Sequence, residues 1–223
     1  MSSPRVLIKV CGLREVDQAL ACARAGADLL GLNFHPPSPR SVEPARAAEI
    51  AAALPSTTRA VGVFVNEPVD RVRATVDRVG LWAVQLHGDE TPADSARLAG
   101  LRVIKAFRLR SPADWPRVTA FVQDALDLGV VLEGVLVDAY VPGVAGGTGQ
   151  TLEDVLLDLI AGTPRLILAG GLNPGNVARL LARVRPYMVD VASGVESVPG
   201  TKDPAKVAAF VRAVTMAVDQ PPN

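Results

Sequence analysis

The sequence predicts an α/β protein folded as a single (β/α)8 barrel, or TIM barrel, over residues 1–223. Eight short apolar runs alternate with segments of helical spacing, and no linker or low-complexity stretch divides the chain. The runs show little strict alternation of apolar and polar residues, which is typical of parallel strands covered on both faces. A chain of 223 residues also has the size of one α/β barrel domain.

Strands are predicted at the apolar runs and helices at the segments between them. In chain order the runs are residues 5–10, 27–34, 59–65, 81–87, 101–107, 133–139, 164–170 and 186–193. The helical segments are residues 15–26, 44–54, 68–79, 91–100, 111–128, 152–162, 173–184 and 203–214. The start of the fifth helix is left open, because two prolines lie early in that segment.

Helix ends are marked by local signals. Asn173 and Asp203 are each followed by proline, which predicts two N-caps with proline at the first helical position. Glycines follow four helical stretches as stop signals, at Gly26, Gly80, Gly100 and Gly162. The last residues, 219–223, predict a short frayed tail. A doubly wound open sheet is the competing fold, but its usual G-x-G-x-x-G turn does not follow the first strand.

The composition excludes several classes of partner. Lysine plus arginine equals aspartate plus glutamate at 23 each, so no net field favours nucleic acid or a membrane surface. Cys11 and Cys22 are too few for a disulfide framework, and no Cys/His cluster has zinc spacing. No signal peptide or bilayer span is expected, which predicts a cytoplasmic protein. Both a monomer and a homodimer remain open.

Two reactive residues are predicted at the C-terminal ends of strands, where barrels of this class build their sites. Cys11 ends the first strand; taken alone it is a packing residue, and its position favours function. Asp138 ends the sixth strand after a mostly apolar run, which predicts a partly desolvated carboxyl with a raised pKa. The alternative for Asp138 is a helix- or loop-capping aspartate.

Three further polar residues are candidates for lining the same barrel mouth. Gln85 and His87 lie two residues apart at the end of the fourth strand, so they share a face. His87 is equally compatible with a structural role. Arg40 follows the second strand in a proline-rich loop, where a guanidinium suits bidentate binding of a carboxylate or phosphate, and a solvated loop arginine is the alternative.

Glycine-rich turns after the last two strands predict a phosphate site. Gly170 and Gly171 follow the seventh strand, and Ser193 and Gly194 follow the eighth. These are the usual phosphate-binding loops of the fold, where backbone N–H groups meet the anion. The loop after the sixth strand has four glycines within residues 143–149, which allows either a mobile cover or a flexible connector.

The chain resembles the phosphoribosylanthranilate isomerases of tryptophan biosynthesis nearly from end to end. The blocks that carry the resemblance are KVCGLR, GLNFHPPSPR, VGVFVN, VQLHGDE, VLVDA, GGTGQ, LAGGLNPGNV and VDVASGVESVPGTKD. The resemblance implies an Amadori rearrangement of N-(5-phosphoribosyl)anthranilate to 1-(2-carboxyphenylamino)-1-deoxyribulose 5-phosphate. The substrate's iminium is its own electron sink, so no metal or organic cofactor is expected.

The resemblance also implies roles for single residues. The general base falls on Cys11 and the general acid on Asp138, while Arg40 binds the anthranilate carboxylate. Phosphate falls on Gly170, Gly171, Ser193 and Gly194, and Asp190 meets substrate hydroxyls. Lys9, on the strand face of Cys11, is expected to help depress the pKa of the thiol.

This sequence departs from the family pattern at two places. Ala192 replaces a residue that is often serine, and residues 111–133 are longer than in the shorter members. Three alternatives are weighed against the assignment. A metal-dependent pentose-phosphate epimerase needs several His and Asp ligands, and the sister aminoaldose isomerase of histidine biosynthesis has aspartate where Cys11 stands. A barrel that binds a phosphosugar without turnover is disfavoured by intact Cys11 and Asp138.

Overall fold

The structure, a computed structural model, describes residues 5–138 and 152–219. The glycine-rich segment predicted after the sixth strand and the end of the predicted tail lie outside the described residues. Eight parallel strands close into a barrel in the order β1-β2-β3-β4-β5-β6-β7-β8, which confirms the predicted fold class. The strands are Leu7–Cys11, Leu29–Asn33, Arg59–Phe64, Ala83–Leu86, Val103–Arg108, Gly134–Asp138, Leu166–Ala169 and Met188–Val191.

A helix follows each strand. Helices α1 to α8 are Val16–Ala25, Pro44–Ala53, Val69–Val79, Pro92–Arg97, Trp115–Asp127, Leu152–Ile160, Val177–Arg183 and Pro204–Asp219. Gly26 and Gly80 end α1 and α3 in the left-handed conformation, as predicted. Asp203 caps α8, since its Oδ1 accepts from the backbone N–H of Ala205 at 2.8 Å. In the described part of the chain, no helix is long and apolar enough to cross a membrane.

The start of one helix differs from its prediction, and the start of another is left open by the sequence. Helix α7 begins at Val177 rather than directly after Asn173, because residues 174–176 form a turn that precedes it. The Asn173 side chain does accept from the backbone N–H of Gly175 at 2.8 Å, so Asn173 is a capping residue, but it caps this turn and not the helix. A 3₁₀ turn, Pro112–Asp114, precedes α5 and resolves the uncertain start of that segment.

The core has two parts, one inside the barrel and one between the barrel and its helices. The barrel interior is filled by apolar side chains, among them Leu29, Val61, Ile104, Leu136, Ile167 and Met188. Nearer the C-terminal ends of the strands, buried polar side chains take the place of these apolar ones: Lys9 in β1, Gln85 in β4 and Asp190 in β8. The interior therefore changes from apolar to polar toward the C-terminal ends of the strands.

A short antiparallel hairpin follows β8. Its strands β9 and β10 are Glu196–Val198 and Thr201–Lys202. Gly200, in its turn, lies close to the loop after β2, since a Cβ added there would be 3.0 Å from the carbonyl oxygen of Pro39. The hairpin thus joins the end of the barrel to the loop that carries Arg40.

Candidate active site

Cys11 occupies a space that its neighbouring strand leaves open. It is half-buried at the end of β1 and pairs in register with Gly31 of β2. A Cβ on Gly31 would lie 2.5 Å from Sγ of Cys11, so only glycine admits the thiol at this level. The next residue, Gly12, has φ of 87° and turns the chain away from the barrel.

Lys9 and Asp190 form a buried ion pair one step below the thiol. Lys9 Nζ lies 2.9 Å from Asp190 Oδ2, and the lysine side chain is fully buried. The other carboxylate oxygen, Oδ1, is buried without a hydrogen-bond partner among the described residues. Such an oxygen needs a donor, and a hydroxyl of a bound sugar is a group that supplies one.

The pKa of Cys11 differs from the sequence-based expectation. Burial raises the pKa of the thiol above its ordinary value, and the Asp190 carboxylate adds to the rise. The cations Lys9 and Lys202 oppose that rise but do not cancel it. Lys9 acts in the expected direction, but the cost of burying a thiolate is larger. The free site therefore holds Cys11 as a thiol at neutral pH.

Asp138 ends β6, in register with Arg108 of β5 and Ala169 of β7. Its side chain is 30% exposed, and its Oδ2 lies 4.0 Å from Nε of Arg108. The cation is a neighbour that the sequence pattern did not reveal.

Gln85 and His87 contact each other, as their spacing predicts. Gln85 Nε2 and His87 Nδ1 are 2.9 Å apart. Burial lowers the pKa of His87 below its ordinary value of 6.5, so the ring is neutral at pH 7. Gln85 Oε1 is buried without a hydrogen-bond partner in the described residues. It is the second such acceptor, in addition to Asp190 Oδ1.

Arg40 is held by a carboxylate that the sequence interpretation missed. Its Nε and Nη2 donate to Oε1 and Oε2 of Glu196 at 2.8 and 2.6 Å. Lys202 Nζ also donates to Glu196 Oε1, at 2.7 Å. Glu196 lies within the block VDVASGVESVPGTKD, next to the predicted phosphate residues, but nothing in its spacing linked it to a loop 156 residues earlier.

The predicted phosphate residues lie in two adjoining loops. Gly170 and Gly171 both have positive φ, 93° and 59°, directly after β7. Ser193 and Gly194 begin a 3₁₀ turn, Ser193–Val195, after β8. A Cβ on Gly194 would overlap the carbonyl oxygen of Leu172, so the two loops are in direct backbone contact.

A cavity of about 830 Å³ opens beside the ends of β3, β4 and β5. Its lining includes His35, His87, Arg108, Arg110 and Arg117. Its floor holds a second buried ion pair, in which Lys105 Nζ lies 2.8 Å from Glu90 Oε2. In residues 5–138 and 152–219, no group of three or more His, Cys, Asp or Glu side chains is placed to hold a metal ion.

The order of the strands arranges the predicted residues around one arc of the barrel. Asp138, the two phosphate loops and Cys11 stand at the ends of β6, β7, β8 and β1, which are consecutive neighbours. The acid and base candidates therefore flank the loops predicted to bind phosphate. Gln85, in β4, and His87, directly after it, face them from the opposite arc.

Comparison with known proteins points to one family. Residues 8–213 match the family described as N-(5'-phosphoribosyl)anthranilate (PRA) isomerase. A relative of that name from Myxococcus xanthus (strain DK1622) is 46% identical over 209 residues, which cover 93% of this chain and 95% of the relative.

Solved structures agree with that match. The crystal structure of phosphoribosyl anthranilate isomerase from Thermotoga maritima has a TM-score of 0.81 and 34% identity, covering 95% of this chain and 99% of the other. A crystal structure of phosphoribosyl anthranilate isomerase in complex with reduced 1-(o-carboxyphenylamino)-1-deoxyribulose 5-phosphate has a TM-score of 0.81 and 33% identity, covering 95% of this chain and 99% of the other.

Proposed function

The chain belongs to the N-(5'-phosphoribosyl)anthranilate isomerase family, and from this membership and the geometry of the barrel mouth we propose how its residues carry the family's reaction. The reaction is the Amadori rearrangement of N-(5-phosphoribosyl)anthranilate to 1-(2-carboxyphenylamino)-1-deoxyribulose 5-phosphate, in tryptophan biosynthesis. The observation that carries the proposal is the placement of Cys11 and Asp138 on either side of the two loops after β7 and β8.

Asp138 is the general acid. Its carboxyl donates a proton to the ribose ring oxygen, and the furanose opens to a protonated Schiff base. The position at the end of β6 supports this role, because the side chain is partly exposed at the mouth rather than sealed in the core. The role requires the proton to be present on Asp138 when the substrate binds.

Cys11 is the general base. Its thiolate removes the C2 proton, which the adjacent iminium has made acidic, and the resulting enolamine relaxes to the ketone. Because burial raises the pKa of the free thiol, the thiolate needs a nearby positive charge to form. The iminium of the opened substrate is such a charge, so ring opening by Asp138 favours loss of the thiol proton to solvent and thereby prepares Cys11 for its own step.

The other predicted residues bind and orient the substrate. Gly170, Gly171, Ser193 and Gly194 hold its phosphate, since bare backbone N–H groups of adjoining loops suit an anion. Asp190 Oδ1 and Gln85 Oε1, both buried without a partner among the described residues, accept from its hydroxyls. His87 contacts Gln85 and fixes its orientation. Arg40 binds the anthranilate carboxylate.

The remaining expectations concern the setting of the reaction. The steps above need no cofactor, because the substrate's own iminium accepts the electron pair. We expect a cytoplasmic enzyme with a small-molecule phosphosugar substrate, no nucleic-acid or membrane partner, and one barrel domain over residues 1–223. Sedimentation equilibrium decides between the monomer and the homodimer.

Substitution of the acid and the base tests the mechanism. We expect Cys11→Ser and Asp138→Ala each to lower kcat by at least about 100-fold with little change in substrate binding, because each residue moves a proton. Fluorescence follows the loss of phosphoribosylanthranilate, with and without chelator. Cys22→Ser and Asp127→Ala change residues that have no part in the proposed mechanism; they are the matched controls, and we expect them to keep parental turnover. Near-parental turnover in either site variant would remove that residue from the mechanism.

A further inference from the structure

We infer that Glu196 is the positioning residue for Arg40: it fixes one edge of the guanidinium and thereby aims the other edge at the substrate's aromatic carboxylate. The inference rests on the proposed role of Arg40 and assigns a cause to its orientation. It explains how the site distinguishes an aminoaldose whose aromatic ring carries an ortho-carboxylate from one whose ring lacks it.

The contact between Glu196 and Arg40 leaves the right donors unused. Glu196 takes the side of the guanidinium formed by Nε and Nη2, at 2.8 and 2.6 Å. A guanidinium has five N–H donors in a rigid plane, so three remain. Two of them, one on each Nη, form the end-on fork that binds a second carboxylate in a bidentate way. Within the described chain, the hydrogen bonds of this guanidinium all go to Glu196.

Glu196 is itself held firmly enough to act as an anchor. Its side chain is only 4% exposed, and its Oε1 also accepts from Lys202 Nζ at 2.7 Å. Its backbone carbonyl accepts from Lys206 Nζ at 2.7 Å. Burial alone would raise the pKa of Glu196, but hydrogen bonds from Arg40 and Lys202 outweigh burial and lower it. The carboxylate therefore stays charged at neutral pH.

The stem of Arg40 is confined as well. A Cβ on Gly12 would lie 2.6 Å from Cδ of Arg40, so the aliphatic stem packs on the residue that follows Cys11. Ser38 Oγ accepts from the backbone N–H of Arg40 at 3.1 Å. The Arg40 side chain is thus confined at its base and at its guanidinium, next to the proposed base Cys11. A carboxylate bound on its free edge is placed relative to Cys11 before any chemistry begins.

The local charge balance still favours an anion. The Glu196 carboxylate pairs with two cations, Arg40 and Lys202, so these three side chains together carry one net positive charge, and the ammonium of Lys206 on the Glu196 carbonyl adds another. A substrate carboxylate is attracted by this excess of positive charge. Glu196 therefore orients Arg40 without cancelling its attraction for the ligand.

The test combines a variant with a substrate analogue. We expect Glu196→Gln to raise KM for phosphoribosylanthranilate on the order of tenfold with little change in kcat. The reason is that Arg40 binds the substrate carboxylate in the ground state and the transition state alike. The adduct of aniline with ribose 5-phosphate lacks the carboxylate. Its kcat/KM should be low in the parent and unchanged in Glu196→Gln. A parental KM in the variant, or an equal loss for both substrates, would overturn the inference.

A double-mutant cycle separates positioning from a merely structural effect. If Glu196 acts through Arg40, then Arg40→Ala and the double variant Arg40→Ala/Glu196→Gln have the same KM. Independent, additive increases in KM would contradict the inference. If Glu196→Gln does not fold, Glu196→Asp keeps the charge beside Lys202 but shortens the reach to Arg40. We expect it to raise KM, and an unchanged KM would count equally against the inference.

The control is an ion pair of the same type at the other end of the barrel. Glu133 contacts Arg165 and accepts from Tyr187 Oη at 3.2 Å. Glu133→Gln should lower stability without changing KM or the discrimination against the aniline adduct. The two hypotheses fail separately. An active Cys11→Ser variant would remove the proposed mechanism, whereas an unaltered KM in Glu196→Gln would remove only the role of Glu196.

Discussion

At the scale of single residues, the electrostatics of Cys11 depend on what surrounds it in the barrel. The thiol lies one step beyond the buried pair of Lys9 and Asp190, and within the influence of Lys202. Burial is the larger effect and raises its pKa, while the two cations restrain the rise. In the proposed mechanism, the base is neutral in the free enzyme and charged only beside the iminium, which protects the thiol from adventitious reaction.

Removal of Lys9 tests this electrostatic account. In a Cys22→Ala background, Lys9→Met should move the pH dependence of Cys11 alkylation by iodoacetamide to higher pH. The reason is that the lysine lowers the thiol's pKa and Asp190, left without its cation, raises it. Lys105→Met removes another buried, paired lysine, which is not among the main influences on the pKa of Cys11, and serves as control. An unchanged alkylation profile in Lys9→Met would show that Lys9 does not tune the thiol.

At the scale of elements, the loops after β7 and β8 form one unit. Gly194, after β8, lies against the carbonyl of Leu172, after β7. Within the loop after β7, Asn176 Nδ2 donates to the carbonyl of Gly171 at 3.0 Å. Glycine at position 194 is therefore required by the approach of two backbones. The sequence marked both loops as glycine-rich, but their mutual contact depends on β7 and β8 being neighbours.

Gly194→Ala tests the contact between these loops. The added methyl overlaps a backbone oxygen that cannot rotate away, so we expect the free energy of unfolding to fall by about 1–3 kcal/mol. The displaced loops should also raise KM for the phosphorylated substrate. Urea unfolding and steady-state kinetics measure the two effects. Gly175→Ala, whose Cβ would meet only Asn173 Oδ1 at 3.2 Å, is the control. Equal effects in both variants would argue against the proposed contact.

At the scale of the whole molecule, closure of the barrel joins distant parts of the chain. Strand β1 pairs with β8 over four residues, from Leu7 with Met188 to Val10 with Val191. The same closure brings Glu196 to Arg40 and places Cys22 of α1 within the influence of Lys202. The stability of the closed barrel is therefore coupled to groups at both ends of the chain.

The loss of folding stability at alkaline pH provides a test at this scale. Burial raises the pKa of Cys22 from its ordinary value of 9.0 to about 11. The raised value means that the unfolded chain loses this proton first, so stability is lost as the pH rises from 9 toward 11. Over this pH range, the free energy of unfolding that is lost through ionisation of Cys22 is about 3 kcal/mol. Urea unfolding at several pH values should show a smaller loss for Cys22→Ala, and parallel curves would contradict the assignment.

The fold was predictable because its signals are local. Each of the eight strands coincides with an apolar run, Asp203 caps the start of α8, and Gly26 ends α1, as expected. The predicted start of α7 was wrong because Asn173 caps a turn instead of the helix. An asparagine makes the same kind of hydrogen bond in either position, so the sequence alone does not distinguish them.

The sequence by itself determined the alternation of strand and helix, the residues at each strand end and the family to which they belong. Periodicity and turn chemistry act between residues that are close along the chain, so one sequence suffices to reveal them. Only the tertiary structure decided the pairing of Arg40 with Glu196, the burial that raises the pKa of Cys11, and the cation beside Asp138. These depend on desolvation and on contacts between distant strands, which exist only after the barrel has closed.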